Sequence, residues 1–93
     1  MLYNFEWDFN KAKLNKTKHK ISFEVAASVF KDPQALSFFD NEHSKSEERW
    51  ITMGIANNGD LIVVVHTYEE SNGITKIRII SARKATKNEK KQY

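Results

Sequence analysis

The 93-residue sequence contains no cysteine, one proline and three glycines. The missing cysteine excludes disulfides, thiolate metal sites and a cysteine nucleophile together, and fits a cytosolic compartment. The glycines stand alone at 54, 59 and 73, so there is no glycine-rich loop to cradle a phosphate and no nucleophile elbow. No apolar run reaches the length of a membrane span, and the N-terminus, Met1-Leu2-Tyr3-Asn4-Phe5-Glu6, lacks the basic-then-apolar order of a secretory signal. His19, His43 and His66 lie far apart, and the acidic residues fall mainly in loops and caps, so neither a paired-histidine metal motif nor a carboxylate cluster for two-metal chemistry is visible. No metal or other cofactor is expected.

What the chain does hold is ordinary for one small domain over residues 1–93: 40% hydrophobic residues, 29% charged residues and a formal net charge of +3. The charge is segregated. Residues 1–24 carry five lysines (11, 13, 16, 18 and 20) against three acids, residues 25–60 are net acidic, and residues 61–93 carry seven cations against three glutamates. If the two basic ends meet in space they form one positive face suited to a phosphate backbone; otherwise the lysines are solvated surface.

Local patterns give the elements. Leu2–Trp7 reads as a strand, and Asp8 caps a helix to about Lys18 or His19. That helix has a thin apolar face of Trp7, Leu14, Phe9 and Ala12, and Lys11, Asn15 and Lys18 share another face. Ser22 caps a second helix whose Phe23, Ala26, Ala27 and Phe30 recur at helical spacing until Asp32-Pro33 ends it. Strands follow at 35–39, 48–56, 61–68 and 74–83, with a hairpin turn at Asn57-Asn58-Gly59-Asp60 and another turn at 69–73. Thr86 and Glu89 form a capping box for a final helix. The expectation is an α+β fold of order β-α-α-β-β-β-β-α, an antiparallel-dominated sheet with a helical pair packed on it.

The residues that carry chemistry sit at element edges: His19 beside Lys18, Arg49 at a strand start, Arg78 and Arg83 around the last apolar run, and Tyr93 after Lys90 and Lys91. This inventory suits metal-free RNA cleavage, in which a ribose 2′-OH attacks its own phosphate. The reaction needs a base, cations for the phosphorane charge and an acid for the leaving 5′-oxygen. Histidine serves as acid or base near neutral pH, and arginine holds phosphate with two parallel donors. Each residue also has a plainer role. His19 complements a helix dipole, Arg49 pairs with Glu47, Glu48 or a loop acid, Arg78 is surface, and Tyr93 anchors the last helix. Simple alternation groups Arg83 with Ser81, Ile79 and Ile77, beyond the end of that apolar row.

Three blocks of residues resemble the BrnT family, the toxin half of bacterial type II toxin–antitoxin pairs. They are Phe5-Glu6-Trp7-Asp8 through Lys11, Asn15, Lys18-His19, Ser22-Phe23-Glu24, Ala26-Ala27, Phe30 and Asp32-Pro33; then Glu48-Arg49, Gly54 and the strand from Leu61 to Val65; then Arg78 to Arg83 with Ala85, Glu89 and Tyr93. The resemblance implies a RelE-like fold, a ribonuclease that blocks translation, and neutralisation by a BrnA-like antitoxin. That antitoxin would supply the dimer of a heterotetramer and its DNA contacts. It implies an RNA substrate, including ribosome-associated mRNA, and no membrane. Carried onto this chain, it implies active-site positions at Lys18, His19, Glu48, Arg49, Arg78, Arg83 and Tyr93; the chemistry of the residues then assigns His19 as base or acid, Arg49 and Arg83 as phosphate clamps, and Tyr93 positioning or donating a proton. Lys11, Lys18, Arg78 and Lys90 would bind RNA, and Glu48 would orient an arginine. The family usually has glycine after the histidine, where this chain has Lys20, and often arginine where it has Lys90. The alternative is a non-catalytic RNA- or antitoxin-binding module on the same basic face.

Overall fold

The computed structural model describes residues 2–93. The elements run β1 (Leu2–Trp7), α1 (Phe9–His19), α2 (Phe23–Ser28) with a 3-10 turn at Val29–Lys31, β2 (Leu36–Phe39), β3 (Trp50–Ile55), β4 (Leu61–His66), β5 (Glu69–Ser71), β6 (Ile74–Lys84) and α3 (Lys87–Gln92). The order is the expected one, with β5 as a three-residue addition. β5 forms because Asn72 and Gly73 both take positive φ, 52° and 77°, the backbone that closes a two-residue hairpin onto Ile74. The sheet order is β1-β6-β4-β3-β2, with β5 also on β6. Every pairing is antiparallel except β1 with β6.

Helix starts follow the local signals. Asp8 accepts from the Lys11 amide at 3.0 Å and Ser22 from the Val25 amide at 3.1 Å. The Thr86–Glu89 capping box opens α3. α1 ends on Lys20, left-handed at φ 62°, so a lysine occupies a backbone that favours glycine. Phe23, Ala26 and Val29 are buried with Ile62, Val64, Ile77, Ile79 and Ala82, which makes one face of the sheet the helix-covered core. Gly54 lies under the 3-10 turn, where an added Cβ would stand 3.0 Å from Val29 Cγ1.

Two expectations need correction. Leu14 and Phe9 do not form an inner face of α1: they are 70% and 75% exposed, and the one buried residue of α1 is Asn15. The second concerns Arg83. A β-bulge shifts the β4–β6 register between Val65 and His66, so Val65 pairs with Ser81 but His66 with Ile79. An extra residue inverts alternation beyond it. Ser81 and Arg83 therefore lie with their partners Val65 and Val63 on the face away from α1 and α2, and not with Ile77 and Ile79. Arg78 alternates with Ile77 and Ile79, so it shares this face with Arg83; the face is open in that neither α1 nor α2 covers it, although Val63 and Met53 are buried there.

Candidate functional site

α1 carries Lys11, Lys18 and His19 beside β6. With Leu14, Ile80 and Ser81 they line a groove of about 520 Å³. The strand is reachable there because β1 covers β6 only from Ile74 to Ile79, leaving the same edge free beyond. Asn15 takes over at that free edge: its Nδ2 donates to the Ala82 carbonyl at 2.9 Å and to the Ile21 carbonyl at 3.0 Å, and its Oδ1 accepts from the Ala82 amide at 3.0 Å.

Arg83 projects from the open face two residues beyond Ser81 and is held by α3. Its guanidinium donates to both oxygens of Glu89, at 2.8 and 2.9 Å. The Thr86 amide also donates to Glu89, at 2.8 Å. Together the Arg83 bonds and the Thr86 amide pull the Glu89 carboxyl down to about 2, and Glu89 raises Arg83 in return. At the far end of α3, the Tyr93 hydroxyl donates to Asp32. Asp32 also accepts from the amides of Ile55, at 2.8 Å, and Gln34, at 2.9 Å. The Tyr93 bond and then these amides hold Asp32 below the usual carboxylate range, and the bond to Asp32 raises Tyr93. α3 thus runs from β6 to the turn beside β3, fixed at each end by a carboxylate. Lys90 is exposed along it.

Arg49 and Arg78 meet elsewhere on the open face. Glu47 bonds Arg78 and stands 3.6 Å from Arg49 Nε. Arg78 also faces Glu6 across the β1–β6 pairing and, with Glu48, Glu69 and Lys76, lines a recess of about 330 Å³. The predicted residues therefore fall into three groups: Lys11, Lys18 and His19 in the groove, Arg83, Tyr93 and Lys90 at the α3 junction, and Arg49 with Arg78 around Glu47. Sequence reasoning named Glu47 beside Arg49 but missed its reach to Arg78, and it missed Asp32 as the Tyr93 partner and Glu89 as the Arg83 partner; Glu89 had a local signal in the capping box, Asp32 had none for this role. Among the described residues, no three His, Asp or Glu side chains gather closely enough to hold a metal ion.

Among the described residues, no helix is long and apolar enough to cross a membrane. A family model described as the ribonuclease toxin BrnT of type II toxin–antitoxin systems matches residues 7–89. Among solved structures, the 1.1 Å crystal structure of the Brucella abortus ribonuclease toxin BrnT superposes with a TM-score of 0.62 at 21% identity, covering 94% of this chain and 100% of that one. That likeness is one of fold. A comparison with curated proteins finds no match. With a family model spanning nearly the whole chain, the protein belongs to the BrnT family of ribonuclease toxins of type II toxin–antitoxin systems.

Proposed function

We propose that this chain cleaves RNA by metal-independent acid/base chemistry on the surface shared by the α1–β6 groove and the open sheet face, and thereby arrests translation. A ribose 2′-OH attacks the adjacent phosphorus, the P–O5′ bond breaks, and the products are a 2′,3′-cyclic phosphate and a 5′-hydroxyl. His19 acts as base or acid. Lys11 and Lys18 hold the backbone at the groove. Arg83 stabilises the equatorial oxygens, while Arg49 and Arg78 around Glu47 clamp a flanking phosphate and Lys90 binds another. Tyr93, its proton held by Asp32, fits a positioning role better than proton donation. The observation that carries the reading is the groove itself, bordered by Lys11, Lys18 and His19 of the opening helix and by Ile80 and Ser81 at the free edge of the closing strand, two residues before Arg83.

Purified protein incubated with free RNA, with and without EDTA, tests it. Cleavage that survives chelation is expected; cleavage abolished by EDTA overturns the metal-free scheme. His19→Ala and Arg83→Ala should each lower the rate by roughly 10²–10⁴-fold with the circular dichroism spectrum unchanged. A BrnA-like antitoxin, in a heterotetramer that also supplies the DNA contacts, would neutralise the toxin by covering these cations, in the cytoplasm. One observation favours a second reading as a non-catalytic binding module: Arg49, Arg78 and Arg83 are already paired with carboxylates. That reading predicts salt-sensitive RNA binding without product.

A further inference from the structure

We propose that Asn15 is the positioning residue of the site: its carboxamide substitutes for a missing strand and welds the His19-bearing end of α1 to the Ser81–Arg83 segment of β6. The proposal rests on the cleavage reading above and names the side chain that would set the site's geometry. An amide side chain carries one acceptor and two donors of the same kind as a backbone peptide. At Ala82 it makes the pair of bonds that a neighbouring strand residue would make, accepting from the N–H and donating to the C=O. The second donor goes to the Ile21 carbonyl, just past the left-handed turn at Lys20, and so fixes how the chain leaves α1. Asn15 is 7% exposed, with both donors and its acceptor engaged. It precedes His19 by one helical turn and lies between Lys11 and Lys18, while Ala82 lies between Ser81 and Arg83. Two hydrogen bonds thus join the segments that carry the proposed base and the proposed phosphate clamp, and a third fixes the exit from α1. Apart from the partly buried Ala12, α1 sends no apolar side chain into the core, so apolar packing offers little to hold its register in their place.

A misplacement of about 1 Å costs on the order of 10²-fold in rate, so loss of this weld should appear in turnover. The test measures kcat and KM on a fluorescent oligoribonucleotide for the wild-type chain, Asn15→Ser, Asn15→Asp and His19→Ala. Serine keeps one short hydroxyl. Aspartate keeps the shape and the acceptor but sets a carboxylate oxygen against two carbonyls. Circular dichroism checks folding, and trimethylamine N-oxide is added so that each variant is assayed folded. The expected result is a kcat lower by about 10- to 100-fold in both Asn15 variants with KM within about threefold of wild type. A folded Asn15 variant with wild-type kcat, beside an inactive His19→Ala, overturns the positioning role and leaves the cleavage reading standing. Wild-type turnover by His19→Ala overturns both.

Discussion

His66 shows how far a residue's role can depart from its sequence context. In the sequence it is an ordinary strand histidine. In the fold it is 1% exposed, with its ring edge-on to Phe30. Its Nδ1 donates to the Thr67 carbonyl at 2.9 Å, so Nε2 accepts from Thr52 at 2.7 Å, and Ser37 in turn donates to Thr52 at 2.8 Å. Burial pushes the imidazole below its usual 6.5. The unfolded chain then binds a proton that the folded chain refuses. His66 contributes stability above 6.5 that is lost as pH falls below it. The melting temperature should decline between about pH 7 and pH 5.5, where carboxylates stay ionised, and His66→Gln should flatten that decline. An unchanged slope in the variant would assign the effect elsewhere. Gly54 poses a steric case at the same scale. A methyl there would lie 3.1 Å from Asp32 Oδ2 and from Ala35 Cβ, so Gly54→Ala should cost about 1–3 kcal/mol in denaturant titration.

Elements were legible where their signals are short-range. Asp8, Ser22 and the Thr86–Glu89 pair mark helix starts within three residues, and Asn58-Gly59 marks a turn at once. The bulge was not legible, because it exists only in how β4 meets β6, and it reverses which face Arg83 occupies. The same limit hid the hold on α3, which buries none of its own residues and is fixed by Glu89 on Arg83 and Tyr93 on Asp32. Because the Glu89 carboxyl is depressed to about 2, its contribution is present above its ordinary 4.5 and is lost only as pH falls through about 2. α3 should therefore stay docked at about pH 4. Glu89→Gln combined with Tyr93→Phe should release it at neutral pH, read as faster amide exchange across residues 87–92 while β6 keeps its protection. Unchanged exchange in the double variant would mean that something other than these two carboxylates holds the helix.

Across the whole molecule, the segregated charge of the sequence becomes a division of labour. The basic ends do meet, since α1 lies along β6, but the acidic middle reaches them too, through Glu47 on Arg78 and Arg49. Composition announced the cations and could not announce which of them are spent. Among the described residues Lys11 and Lys18 form no ion pair, whereas the three arginines do. Salt dependence of RNA binding separates the two kinds. Each phosphate neutralised on a single strand releases condensed counterions and steepens log K against log salt by roughly 0.7. A free lysine yields that full increment, while an arginine that must first leave a carboxylate yields less, because it was already compensated. Lys11→Ala with Lys18→Ala should therefore lower the slope by about 1.4. Arg83→Ala alone should lower it by clearly less than about 0.7, and Glu89→Gln should both steepen the slope and tighten binding at low salt, as the guanidinium becomes available. Equal slope changes for Lys18→Ala and Arg83→Ala would show that Glu89 does not compete with RNA for the arginine fork.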